Sequence, residues 1–197
     1  MYLLSHLVLV NWHNFEPLEL PFSRLTAVIG ENRSGKSTLL DAIQVAMLGN
    51  HGSWRELNRA AGDERSRRTV RSYCLGMVAP EQPPLRDSAV TWIALHFKDE
   101  ETGHDVTFGV NLVASLGDPA ERSSPFVVKG LALGLADFVA EAEEDGARFL
   151  LPRDWENASA RIARRVAAQP GGAFLAPTGP ERFIGEWMKA LNAGGRS

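Results

Sequence analysis

The 197-residue sequence predicts an α/β fold with α+β elements: a mixed sheet with antiparallel strands, and one helix leading out of a loop. Three observations carry this. Apolar runs of strand length open the chain, a glycine-rich loop then runs into a helix-patterned stretch, and a long alternating hairpin follows. With 44% hydrophobic and 23% charged residues the composition is that of a globular domain, with material for one core or a core with an appended lobe.

Residues 3–10 are almost wholly apolar and read as a buried strand, ended by the polar cluster Asn11-Trp12-His13-Asn14. Residues 17–22 make a short partner strand, and 24–29 a third strand that runs straight into Gly30. From Lys36 to Leu48 the apolar residues Leu39, Leu40, Ile43, Ala46 and Met47 keep helical spacing, and Gly49-Asn50 stops the helix. Residues 51–72 are polar and arginine-rich, a loop with a short helix, and 80–84 form a turn-rich connector. In the run 89–98, Val90, Trp92, Ala94 and His96 share one face, while Thr91, Ile93, Leu95 and Phe97 share the other. Both faces are therefore expected to be buried. The acidic tip 99–103 turns the chain, 106–116 returns, and 126–133 adds another strand.

The C-terminal third reads as helical over 153–168 and 181–191, with a break at Gln169-Pro170-Gly171-Gly172. Glu141, Glu143, Glu144 and Asp145 read as a solvated helix end, and Cys74 as packed in or beside a strand. The whole chain, 1–197, is read as one lobe. Strands, loop and first helix fill 1–50, a basic region 51–84, antiparallel strands 85–134, and a mostly helical part 135–197.

Charge and cysteine usage narrow the classes. Net charge is -3, yet residues 51–72 hold 6 basic against 3 acidic side chains, and 73–147 hold 4 against 13. A general polyanion binder is excluded, but a local basic face is not. No apolar run reaches the roughly 18 residues of a membrane-spanning helix. The first residues lack the basic start and cleavage site of a secretory leader, so no membrane partner and a cytoplasmic location are expected. One cysteine, Cys74, allows no internal disulfide and no cysteine-rich metal site. The five histidines, at 6, 13, 51, 96 and 104, show no metal-ligand spacing.

One motif is strong. Gly30-Glu31-Asn32-Arg33-Ser34-Gly35-Lys36-Ser37 fits the P-loop pattern G-x-x-x-x-G-K-[ST]. Chance would produce it in roughly one such chain in 300, and here a strand precedes it and a helix follows. Glycines let successive backbone N–H groups converge on phosphate oxygens, and the helix N-terminus adds partial positive charge. The expected ATP-binding residues are Gly30, Asn32, Arg33, Ser34, Gly35, Lys36, Ser37 and Thr38. Lys36 reaches the β- and γ-phosphates, the Ser37 hydroxyl holds Mg²⁺, and Thr38 touches the α-phosphate.

No complete catalytic set accompanies the loop. A second carboxylate motif would hold Mg²⁺ and polarise water, and its nearest match ends in Asp99-Glu100, which sits at a hairpin tip. Neither an L-S-G-G-Q signature nor an N-K-x-D motif occurs. The sequence reads as half of an active site.

Two strands, a P-loop and then Leu39-Leu40-Asp41-Ala42-Ile43-Gln44 resemble the N-terminal lobe of ABC/SMC-type P-loop ATPase heads. The opening Leu7-Val8-Leu9-Val10-Asn11-Trp12-His13-Asn14-Phe15 is similar to the start of MukB-like SMC proteins, above all those of Wadjet anti-plasmid systems. The likeness runs on through Asn58-Arg59-Ala60-Ala61, Arg71-Ser72-Tyr73 and the hairpin start at Leu85, and covers residues 1 to about 115. It implies ATP and Mg²⁺ as cofactors, with the signature and second carboxylate motifs on a C-terminal lobe beyond a long coiled coil. As partners it implies that lobe, a second head in a homodimer, kleisin and winged-helix (kite) subunits, a nuclease subunit, and double-stranded DNA held without sequence preference. The function it implies is ATP-driven DNA loop extrusion, in plasmid restriction or chromosome organisation. A RecF- or OLD-like repair or defence ATPase shares the same lobe, and a structural head that mainly docks kleisin and DNA is a third reading.

Arg33 departs from the family, which has Gly or Ala there. A positive φ at that position would strain arginine by about 1 kcal/mol, which the loop is expected to tolerate. Arg65, Arg67, Arg68 and Arg71 are candidate contacts to DNA phosphates or nucleotide, against a solvated loop. Trp12, His13 and Asn14 read as a buried anchor and turn, against an approach to adenine.

Overall fold

In the computed structural model, residues 1–31, 34–49, 69–77 and 83–193 are described. The elements run β1 (Tyr2–Val10), β2 (Leu18–Pro21), α1 (Lys36–Leu48), α2 (Val70–Leu75), β3 (Ser88–Asp99), β4 (Asp105–Ser115) and β5 (Asp118–Lys129). They continue with α3 (Leu135–Phe138), β6 (Val139–Glu144), β7 (Ala147–Pro152), α4 (Trp155–Ala167), β8 (Ala173–Leu175) and α5 (Pro180–Ala193). Six strands form one sheet in the order β2-β1-β3-β4-β5-β8, and every pairing in it is antiparallel.

Strand alternation sorts the side chains into two cores. Leu7 and Leu9 of β1, Ile93 and Leu95 of β3, and Phe108, Val110 and Leu112 of β4 face α1, α2 and α5. Val8, Val10, Trp92, Ala94, Phe126 and Val128 face the other way, onto α3 and α4. Both faces of β3 are buried, as its pattern predicts. Helix α4 lays Ala158, Ile162 and Val166 on this second core, its start capped by the Asp154 side chain and two arginines in its last turn. Trp92 anchors the layer, stacking on Trp155 and donating its indole N–H to the Arg153 carbonyl at 2.7 Å.

Helix α1 takes the predicted bounds, and Gly49 ends it at φ 61°. The strand expected over 24–29 does not form. No described strand pairs with its backbone, the Leu25 carbonyl accepts from the Ser23 hydroxyl at 2.8 Å, and Leu25 and Ile29 are 88% and 89% exposed. The parallel component of the expected mixed sheet is absent among the described residues for the same reason. One end of this run is tied near the β3–β4 turn, where Arg24 holds Glu100 through bonds of 2.9 and 2.7 Å. The other end enters the loop at Gly30.

The C-terminal third holds a hairpin the periodicity does not reveal. The acidic residues Glu141, Glu143 and Glu144 lie on β6, not at a helix end, and Asp145-Gly146 turns the chain at φ 50° and 77°. The strand expected over 126–133 begins earlier, as β5. The expectations for 51–68 and 80–82 lie outside the described residues.

Cys74 sits within α2, fully buried beside β3, where its side chain meets Thr91. Burial pushes its thiol up to about 12. The native chain at pH 8 is therefore expected to resist thiol-specific reagents and to label only on unfolding. Rapid labelling of folded protein, followed optically, would contradict the packing described.

Candidate functional site

The loop is held from below by the turn that ends β1. Asn11 and His13 both have φ of 54°, which bends the chain sharply. Asn11 donates its side-chain amide to the Val90 carbonyl at 3.0 Å, and the Thr91 hydroxyl donates to the Asn11 carbonyl at 3.0 Å. This fastening to β3 drives Trp12 into the core, where it is wholly buried. Its indole N–H donates to the Thr38 carbonyl at 2.9 Å, in the first turn of α1. Trp12 is thus the buried anchor of the two readings.

Helix α2 completes the support. The Tyr73 ring stacks on Trp12 with centroids 4.5 Å apart, and its hydroxyl donates to the Asp41 carboxylate of α1. The His13 N–H donates to the Tyr73 carbonyl at 2.7 Å, and Arg86 donates to the His13 carbonyl at 2.8 Å. Phe15 lies against the loop: a Cβ on Gly35 would come within 3.0 Å of its ring.

Ser34 donates its N–H to the Glu31 carbonyl at 3.2 Å. Gly35 is left-handed at φ 92°, a conformation that glycine takes without strain. The Leu39 N–H then closes the first helical turn on the Gly35 carbonyl at 2.9 Å. A Cβ on Gly30 would meet the Ser34 hydroxyl at 2.6 Å, so a side chain there would have to displace the Ser34 side chain.

Lys36 bends over the loop, donating to the carbonyls of Gly30 at 2.7 Å and Glu31 at 2.6 Å. Among the described residues, the N–H groups of Lys36, Ser37 and Thr38 have no protein acceptor, and the first turn of α1 contains no acidic side chain. Three N–H groups with no described acceptor and the helix dipole make the helix start an anion site in kind, with the Lys36 ammonium held on the same loop. The exposed Ser37 hydroxyl stands beside them. The set fits a nucleotide triphosphate with Mg²⁺: the N–H groups and Lys36 for phosphate oxygens, Ser37 for the metal.

Gly30, Ser34, Gly35, Lys36 and Ser37 are thus together at the mouth of the loop. Thr38 is buried, with its carbonyl on Trp12. Asn32, Arg33, Arg65, Arg67 and Arg68 lie outside the described residues. Arg71 turns its guanidinium to carbonyls of the β4–β5 connection, with bonds of 2.9 Å to Ser115, 3.1 Å to Leu116 and 3.0 Å to Asp118.

Asp99 and Glu100 are far away. Asp99 pairs with Tyr2, while Val10 pairs with Trp92 at the loop's end of β1, about 26 Å off along the strand. Asp99 closes the hairpin tip by accepting from the N–H groups of Glu101 and Thr102 at 2.9 and 3.1 Å. Those bonds hold its carboxyl below the usual range. Neither carboxylate serves the loop.

Phe15, Asp41, Tyr73 and Arg86 support the site without having been singled out for it. Asp41 carried a signal: a lone acid in an apolar helix, one turn beyond Ser37.

Residues 4–64 match the family described as the P-loop containing region of AAA domain. That span, about a third of the chain, is similar to a P-loop ATPase domain. No curated protein matches the chain. Match and geometry agree on an α/β nucleotide-binding lobe built on a P-loop. No helix among the described residues is long and apolar enough to cross a membrane.

Replacing Trp12 by Phe keeps the ring but removes the bond to Thr38, and should cost about 1 kcal/mol. Gly35→Ala should cost about 1–2 kcal/mol through its left-handed φ. Denaturant titration measures both; no change in either variant would mean that the loop is not held as described.

Proposed function

We propose that this chain is the ATP-binding N-terminal lobe of a MukB-like SMC head, of the type found in JetC, the SMC subunit of Wadjet anti-plasmid systems. The observation that carries the nucleotide part is the grouping at the start of α1 of Lys36, the Ser37 hydroxyl and three N–H groups with no acceptor among the described residues. Support for a lobe, rather than a whole enzyme, comes from the run 24–29. Leu25 and Ile29 are almost fully exposed, Val28 is 44% exposed, and the backbone between them lacks strand partners among the described residues. Such a mostly apolar, strand-patterned run reads as a strand buried between neighbours, and its neighbours come from elsewhere.

In this reading the chain's residues bind, orient and hold. The loop N–H groups and Lys36 grip the β- and γ-phosphates, while Ser37 holds Mg²⁺, which supplies charge neutralisation when bound. The carboxylate that polarises water belongs to a C-terminal lobe, whose strands flank 24–29, and the signature motif to a second head. DNA loop extrusion with kleisin, kite and nuclease subunits is the function of the assembly.

The purified chain should bind ATP without appreciable hydrolysis, and Lys36→Ala should weaken binding about tenfold or more. Titration calorimetry and a phosphate-release assay measure the two. Lys36-dependent turnover by the chain alone would overturn the half-site reading. Binding indifferent to Lys36→Ala would overturn the nucleotide site.

A paired test addresses the bare run. Leu25→Lys with Ile29→Lys should leave the chain's own Tm unchanged, since neither side chain is packed, and should abolish co-purification with a C-terminal SMC lobe. Retained association would show that the lobes meet elsewhere.

A further inference from the structure

On the sheet face turned away from α1, four titratable side chains from four strands form one network. His6 of β1 and His96 of β3 face each other, Nδ1 to Nδ1, at 3.2 Å. The Nε2 of His6 lies 2.8 Å from the Leu133 carbonyl and 3.6 Å from Glu19 of β2. The Nε2 of His96 lies 2.9 Å from the Asp105 carboxylate of β4. Both rings are removed from solvent, His96 at 3% exposure and His6 at 14%.

The partners decide the protons. A carbonyl oxygen only accepts, so His6 Nε2 carries hydrogen. An ionised carboxylate only accepts, so His96 Nε2 carries one too. Between the two Nδ1 atoms exactly one hydrogen fits: none leaves two lone pairs opposed, and two leaves two N–H groups opposed. Three hydrogens are needed on four ring nitrogens, whereas two neutral imidazoles bring two. We propose that His6 and His96 hold one proton in common beyond their neutral forms, and that this proton latches the loop before α3 to the sheet.

Burial favours His6 as its carrier, because His96 is the more deeply buried ring and its burial outweighs the Asp105 carboxylate at 2.9 Å. Glu19 stands on the outer side of His6, whereas His96 has Lys98 further along its own strand. Burial pushes the His96 imidazole below its ordinary range, consistent with a neutral ring donating to Asp105. From the loop itself only backbone faces the pair, and the Asp137 carboxylate of α3 is turned to Arg161 and Arg165 of α4.

The latch acts on residues 131–135. His6 grips the Leu133 carbonyl, Glu19 accepts the Leu135 N–H at 2.8 Å, and Thr107 bonds the Leu131 carbonyl and the Leu133 N–H at 3.1 and 3.2 Å. Losing the shared proton at high pH leaves one of the three bonds with two acceptors. A fourth proton at low pH sets N–H against N–H. For His96, depressed in the folded state, the sign is that stability is full above the unfolded imidazole value of about 6.5 and falls as pH drops below it. The pair titrates as a unit.

Nitrogen-15 correlation spectra of the histidine rings in the intact chain at pH 7 test this directly. The expected pattern is an imidazolium at His6 and a neutral Nε2–H ring at His96. Asp105→Asn supplies a second check, because an amide donates the missing hydrogen to His96 Nε2 and lets both rings be neutral. The His6 imidazolium signature should then vanish at pH 7 while the fold, read from the amide spectrum, persists. Two neutral rings in the unsubstituted chain would overturn the proposal, as would an imidazolium that Asp105→Asn leaves in place. Zinc-dependent broadening of both rings, reversed by chelator, would overturn it in favour of a metal between the Nδ1 atoms.

Discussion

The hydrogen bond from the Trp12 indole to the Thr38 carbonyl joins the end of β1 to the first turn of α1, and the site depends on that junction. An anion site made of backbone N–H groups works only if the helix start is held still relative to the loop that feeds it. Trp12 does this from the dry side, where an unmade bond would leave a buried donor unsatisfied. Around it, Asn11, Tyr73 and Arg86 fix the turn, and Phe15 backs Gly35. At the far end of α1 the Trp187 indole donates to the Met47 carbonyl at 3.1 Å, so α5 steadies the same helix.

The two faces of the sheet solve different problems. The face beneath α1 is packed with Leu, Ile, Val and Phe, which keeps the support of the loop apolar and rigid. The opposite face carries a polar patch, where the buried His96 and Thr107 and the more exposed His6, Asp105 and Glu19 are tied into one network. Buried polar groups are tolerable there because each found a partner. Beside β1 and β2 the chain is unfinished in another sense, since residues 24–29 present exposed apolar side chains and a backbone with no strand partner among the described residues. Isolated folding of this segment is disfavoured because a strand with no neighbour gains neither ladder bonds nor burial.

Much of this was legible because local rules sufficed. The bounds of α1 follow from helical spacing and the Gly49 stop, and the β3–β4 hairpin from alternation around an acidic tip. The phosphate-facing residues follow from the P-loop spacing. The hairpin β6–β7 was not legible, because β6 is Val-Ala-Glu-Ala-Glu-Glu, whose alanines and glutamates favour a helix. Its pairing with β7, which puts Leu151 and Phe149 opposite Ala140 and Ala142, overrides that preference.

By itself the sequence determined the P-loop motif, its helix, the opening strand and the β3–β4 hairpin, because each rests on spacing within a few residues. Tertiary structure alone decided which groups support the loop, since Trp12, Tyr73 and Asp41 are brought together from segments about 30 residues apart. It also decided that residues 24–29 stay bare and that His6 meets His96. A strand exists only through its neighbours, and a shared proton only through the distance between two rings. Neither relation is written in local sequence.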